Sequence, residues 1–373
     1  MVAIPIASAA TVAFWRFDTA IRAAGLLCAL ALPWLLLLSG LWSRLQLGLQ
    51  GFTGRRPLTL AALSGAAYGL AWSLVGDGLA LAHRIDGQAL GFDQQGWASW
   101  LDGRLTATAI LAACGAAGAA IGYTLIAKSP RRWALWAAGA VILLGLAYCV
   151  SAPVLANNAP LPPGPLKAQI QAMLGKAGAG PVPIVLRRDS GPCVGGNNLG
   201  VFPTTQVVID DGYLAYPADQ GVEVAAHEVG HYVRHDPELG VMVGMLWIGA
   251  MFAAMSWGGR RLVAALGGRF GIADLGEPAS LPLILFCAVA VYAAGLPAFN
   301  AIQRGIEHRA DQFAMTMTGY GQAGAIGMAR DAKCGRLDPN PSWLRTVLFE
   351  NHPSIAQRIS FMNRYDAAQL KAK

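Results

Sequence analysis

The sequence predicts a mainly α, polytopic membrane protein with about six transmembrane helices and a smaller α+β part that faces water. Three observations carry this. Of 373 residues, 55% are hydrophobic and only 13% are Asp, Glu, Lys or Arg, about half the charge of an ordinary soluble domain. Six stretches contain no charged residue over the roughly 20 positions a helix needs to cross the hydrocarbon layer. They are residues 23–42, 57–76, 105–127, 133–155, 239–259 and 278–303. Two segments, about 156–238 and 304–373, are polar enough to live in water.

Each element has its own signal. Gly, Ser and Pro within the spans are compatible with lipid, where small residues let helices approach closely. Trp34, Trp42, Trp133, Trp136 and Trp257 stand mostly near span ends, as an interfacial aromatic belt requires. The first span is longer than a signal-peptide core and has no cleavage site behind it, so it reads as a retained anchor. Residues 152–165 form a Pro-rich linker, and 165–175 a short helix. Residues 182–186 and 206–209 read as strands, with 195–205 as a turn-rich connection. Residues 221–235, 305–318, 322–333 and 353–371 read as helices. Neither polar segment can bury a core alone. The chain therefore divides into a four-span membrane part (1–155), a first half of a polar domain (156–238), a two-helix membrane hairpin (239–303) and its second half (304–373).

The net charge of +7 does not indicate nucleic acid. The cations sit in short clusters beside the spans, with no basic stripe interleaved with aromatics. Loops after the first, third and fifth spans hold Arg44, Arg55, Arg56, Lys128, Arg131, Arg132, Arg260, Arg261 and Arg269; the opposite side holds Arg16, Arg22, Arg84 and Arg104. By the positive-inside rule the polar domain lies outside the cytoplasm. Four cysteines lie in spans, whereas Cys193 and Cys334 lie in the polar segments and could pair in an oxidising compartment. The Ala, Gly and Arg bias points to a bacterial inner membrane.

The chemistry concentrates at His227-Glu228-Val229-Gly230-His231. Histidines at i and i+4 share one helix face, so both imidazoles can reach one zinc ion, with Glu228 beside it as general base. A catalytic zinc needs a third protein ligand. Glu307 and Asp311, one turn apart on a later helix, supply a carboxylate for the metal and another to hold a ligand histidine's tautomer. His308 is the alternative third ligand, while His235 reads as a surface residue. The plain alternative for each is a charged helix face.

These patches resemble the membrane-integral zinc endopeptidases of the CAAX prenyl protease type I and HtpX-type families. The resemblance rests on HEVGHY at 227–232, EHRADQFA at 307–314 with Thr318-Gly319-Tyr320, NLGVFPTTQVVIDDGYL at 198–214, and HPSIAQRI at 352–359. LGFDQQGWASWLDGRL at 90–105 is similar to the CAAX branch in particular, although six spans stand where that branch has seven. The resemblance implies a gluzincin-like α+β domain split by the hairpin, holding one zinc ion per chain on His227, His231 and Glu307. Asp311 and Arg358 would support the site and His352 would assist the oxyanion. An edge strand at Thr205, Val207 and Ile209, approached by Asn198, would bind an extended peptide. The implied activity is a metalloendopeptidase acting on membrane-associated or lipid-modified substrates. HtpX-like quality control and a catalytically idle scaffold of the same fold are the alternatives. The family places its zinc domain in the cytoplasm, opposite to the charge bias.

Overall fold

In the computed structural model, residues 1–54, 56–180, 182–188 and 193–372 are described; Arg55 lies outside them. Among the described residues, six helices are long and apolar enough to cross a membrane, and the chain forms two compact units. The mainly helical, polytopic architecture is as the composition implied.

The first unit comprises residues 16–142 and 245–295. It contains most of α1 (Ala9–Leu38), then α2 (Leu41–Thr53), α3 (Pro57–Ala89), α4 (Trp97–Lys128) and the start of α5 (Trp133–Leu155). α1 begins well before the uncharged stretch, so Arg16, Asp18 and Arg22 are helical. Asp18 is buried and accepts from Arg22 Nε at 2.7 Å, with His83 Nε2 at 3.0 Å from its other oxygen. Pairing of this kind is what makes charge tolerable in a span. Trp136 and Trp257 are exposed as a belt requires, but Trp42 and Trp133 are only 2% exposed and belong to the packed interior. Trp42 donates its indole N–H to the Ala279 carbonyl at 2.9 Å, which explains its burial.

α3 and α4 pack through small residues. A Cβ on Gly65 would lie 2.0 Å from the Gly115 carbonyl oxygen, and one on Gly115 2.4 Å from the Gly65 carbonyl oxygen. Only two glycines permit this approach. Further along the pair, Asp77 meets Arg104, and the hydroxyls of Ser73 and Thr108 are 2.6 Å apart.

The second unit comprises residues 1–15, 143–244 and 296–373. It holds a four-stranded sheet of β1 (Ala159–Pro160), β2 (Ile184–Arg187), β3 (Gly196–Leu199) and β4 (Gln206–Asp210), in the order β1-β2-β4-β3. β2 and β4 are parallel and the outer pairs antiparallel. Helices α6 (Pro165–Lys176), α7 (Ala218–Val233), α11 (Gly321–Cys334), α12 (Trp343–Phe349) and α13 (Ile355–Ala372) complete it, with the part of α10 (Leu281–Thr318) beyond Leu296. The hairpin is built from α8 (Asp236–Ala253), a π-helical turn, α9 (Gly259–Phe270) and α10. The sixth span and the first C-terminal helix, which the sequence suggested as separate, are one continuous helix.

The core of this unit joins both halves of the polar sequence. Ile170, Val207, Ile209, Val229, Ile359 and Met362 are fully or almost fully buried in one cluster. At about 1.5–3 kcal/mol per fully buried large aliphatic side chain, residues from both sides of the hairpin are needed to stabilise it. A Cys193–Cys334 disulfide adds a covalent tie across 141 residues of sequence; closing a loop of that size is worth about 4–5 kcal/mol in the chain-entropy account.

The turn-rich connection at 195–205 contains β3, which the sequence pattern concealed. This alters one expectation. The strand carrying Val207 and Ile209 lies between β2 and β3 rather than at the edge, and Thr205 just before it is buried as well. Val207 and Ile209 therefore offer no free main chain to a peptide, and Thr205 stands outside the ladder. Their near-continuous apolar character fits an interior strand buried on both faces. The outer strands are β3 and the two-residue β1.

The α3–α4 contact is directly testable. Gly65→Ala should force the two backbones apart at an overpacking cost of about 1–3 kcal/mol and lower the thermal midpoint of the detergent-solubilised protein by several degrees. An unchanged midpoint would refute close α3–α4 packing.

Candidate active site

The site begins on α7. The i, i+4 spacing places His227 and His231 on one face, with their Nε2 atoms 3.1 Å apart and their rings edge to face. Both residues and Glu228 are buried. α10 brings Glu307 to the same point: its carboxylate oxygens lie 3.2 Å from His227 Nε2 and 3.6 Å from His231 Nε2.

Each imidazole is aimed by a carboxylate on its far side. His227 Nδ1 lies 3.0 Å from Asp311 Oδ1, and His231 Nδ1 lies 2.9 Å from Asp236 Oδ2. A neutral histidine carries one ring proton, and a carboxylate at Nδ1 claims it, leaving Nε2 with a free lone pair. Two such lone pairs and the Glu307 carboxylate then converge. Glu307 Oε2 is buried and accepts no hydrogen bond, as a metal-ligating oxygen would stand without its ion.

A metal ion fits this donor set. Two imidazole nitrogens and one carboxylate oxygen, all within 4.8 Å of one another, suit a borderline divalent cation. The observed separations bracket the roughly 3.3 Å edge of a tetrahedron whose bonds are about 2.0–2.1 Å. Without a metal, protons meet the same demand for positive charge. Burial alone would lower both imidazoles, but Asp311 and Glu307 raise His227 to about 10, and Asp236 and Glu307 raise His231 to about 9. A metal must displace these protons, so its apparent affinity falls as pH falls.

Glu228 lies beside this cluster. Burial pushes its carboxyl up, against the pull of both imidazoles. Asn198 Nδ2 donates to Glu228 Oε2 and to the Glu228 carbonyl, both at 2.9 Å. The amide nitrogen is thus committed to the glutamate, while Asn198 Oδ1 is buried and accepts no hydrogen bond, so a bond to a substrate backbone N–H falls to that oxygen.

Asp311 is fully buried and bridges His227 to Arg358, whose Nε donates to its second oxygen at 2.9 Å. His352 Nε2 stands 3.3 Å from Glu307 Oε1 and its ring is half exposed. The other candidates separate cleanly. His308 packs edge to face on Phe361 rather than joining the cluster, and the His235 side chain is 71% exposed.

Asp236 escaped the sequence reading. Just past the end of α7, His235 adopts a left-handed conformation, φ 56°, and the next residue, Asp236 at the start of α8, is turned back onto His231. A charged residue 7% exposed is invisible to a pattern search that stops at the five-residue motif. Glu223, one turn before His227, was missed for the same reason; burial raises its carboxyl to about 7.

The comparisons with known proteins agree with this geometry. Residues 162–366, more than half of the chain, match the profile described as Peptidase family M48. An uncharacterized metalloprotease, YhfN, of Bacillus subtilis is 26% identical over 176 residues. That match covers 47% of this chain and 40% of the relative, so the chain spans less than half the length of the curated protein it matches. The fold is similar to the crystal structure of S. mikatae Ste24p, with a TM-score of 0.62 and 18% identity over 82% of this chain and 75% of that one. The match of the family profile across both halves of the histidine and carboxylate cluster places the chain in peptidase family M48.

Proposed function

We propose that the protein is a membrane-embedded zinc metalloendopeptidase that hydrolyses peptide bonds of membrane-associated or lipid-modified substrates. One observation carries the reading: His227, His231 and Glu307 converge from α7 and α10 with Glu228 alongside. His227, His231 and Glu307 would hold the ion. A bound zinc supplies Lewis acidity, polarising a carbonyl and lowering the pKa of water. Glu228 takes a proton from the attacking water and returns it to the leaving amine. Asn198 holds that carboxylate in place. Asp311 and Asp236 fix the histidine tautomers, and Arg358 neutralises Asp311. His352 donates towards the developing oxyanion. An extended peptide adds to the free edge of β3, where main-chain pairing gives affinity with little sequence choice.

Glu228→Gln should retain its metal, measured by elemental analysis, and lose at least about 100-fold in peptide cleavage, the usual contribution of a general base. Cleavage at the wild-type rate would remove Glu228 from that role.

The hairpin between His231 and Glu307 supports the substrate class. It inserts two spans into the chain between the ligands, α8–α9 and α10. A peptide carrying a lipid or transmembrane anchor should accordingly be cut faster than its soluble counterpart of identical sequence. Equal rates would count against a membrane-associated substrate.

We further propose that the peptidase unit faces the non-cytoplasmic side. The nine-against-four distribution of flanking cations favours it, and so does the Cys193–Cys334 disulfide, since such bonds persist in oxidising compartments. A C-terminal alkaline phosphatase fusion should be active and a C-terminal GFP fusion dark; the opposite result reverses the orientation.

A further inference from the structure

Beside the metal-binding cluster lies an open cavity of about 320 Å³, at the lower end of the range for ligand pockets. His352 and Arg358 are among its lining residues, and His352 is the residue 3.3 Å from Glu307. His352 thus links the cavity wall to the metal-binding cluster. The cavity's size suits one long side chain.

The walls set the chemistry of that side chain. Trp15, Leu337 and Ile355 supply apolar surface. Trp15 is fixed by its indole N–H, which donates to the Arg336 carbonyl at 2.7 Å. Of the charged lining groups, both arginines are satisfied within the protein. Arg358 is bonded to both oxygens of Asp311. Arg345 donates to Glu350 and lies over the Trp15 ring at 4.3 Å. The acids are less well matched. Asp331 Oδ1 is buried and accepts no hydrogen bond. The Arg330 guanidinium is 3.8 Å away; it lies over Tyr216 and donates to Gln220. Among the described residues, Asp338 accepts from the Asn340 backbone N–H at 2.9 Å. The lining thus combines apolar walls with three acids, Asp331, Asp338 and Glu350, against two arginines that are already paired.

From this geometry we infer that the cavity is a specificity pocket for a lysine or arginine side chain next to the scissile bond. The aliphatic stem packs against Trp15, Leu337 and Ile355, as long basic side chains do when they bury their stems. The cationic head meets Asp331 and Asp338. Glutamate in the same place would face like charge, and an uncharged aliphatic chain would gain nothing from the acids. The inference rests on the peptidase reading and adds the substrate residue that this site selects.

The test uses the full-length detergent-solubilised enzyme and peptides carrying lysine, arginine, norleucine or glutamate at each position flanking the bond. At one position kcat/KM for the basic peptides should exceed that for norleucine by about tenfold, a difference of roughly 1.4 kcal/mol. Asp331→Asn should reduce this ratio to about two or less, and Asp338→Asn should reduce it in the same direction. Because the readout is a ratio, a general loss of folded enzyme cancels. A wild-type ratio near one at both positions, or a ratio unmoved by both substitutions, overturns the pocket. Binding of the same peptides to the Glu228→Gln protein, read by fluorescence anisotropy, separates the two levels. A lysine preference in binding without turnover by the wild type upholds the pocket and refutes the peptidase reading. Turnover without a preference does the reverse.

Discussion

The site depends on where two protons sit. His227 and His231 each present Nδ1 to a carboxylate, Asp311 in one case and Asp236 in the other. Those contacts fix the tautomers and turn both Nε2 lone pairs towards Glu307. Remove either carboxylate and the corresponding ring loses both its orientation and its preference for carrying the proton outward. Helical spacing brings the two imidazoles together, but it does not decide which nitrogen faces inward. That decision is made by residues outside the motif, one contributed by α10 and one by the start of α8.

The same acids create an electrostatic debt that organises the surroundings. Glu228, Glu307, Asp311 and Asp236 crowd two histidines in a largely buried space, and isolated buried charge is very costly. Arg358 answers Asp311 through a two-point contact, while Arg309 lies 3.7 Å from Asp236 at the more exposed end. The remaining negative charge is met by protons or by a divalent ion. This accounts for the placement of Arg358 on α13, nearly at the end of the chain. The last helix is part of the cluster's charge balance as well as of the core that contains Ile359 and Met362.

Much of this was legible in the sequence because the signals were local and periodic. Uncharged runs of about 20 residues announce spans, and histidines four apart with a glutamate between them announce a metal helix. What was hidden depended on non-local pairing or on a single backbone angle. β3 contains Gly196, Asn197 and Asn198, residues with poor strand propensity, and it is a strand only because β4 beside it supplies the ladder. That neighbour placed Thr205, Val207 and Ile209 inside the sheet, where their apolar run could equally have been read as an edge. Asp236 was hidden by the left-handed turn at His235, which no spacing rule anticipates. The burial of Trp42 and Trp133 likewise followed from partners distant in sequence.

The composition of β3, poor for a strand, is what its position demands. Alternate residues of a strand face the same side, so Gly196 and Asn198 look towards α7 together while Asn197 faces away, towards Arg187. A Cβ at Gly196 would come within 2.8 Å of Glu228 Cγ; any larger residue would push the glutamate or the strand away. Two positions on, a side chain is required, and it must donate, because it meets a carboxylate oxygen and a carbonyl at once. Aspartate at 198 would set two anions against each other, and leucine would leave Glu228 unheld. Small-then-donor spacing on one face of an edge strand thus sets Glu228 against the sheet, and on the proposed function the opposite edge of that strand would receive the extended peptide. The residues that make β3 a weak strand by propensity are the ones that let it border the active site.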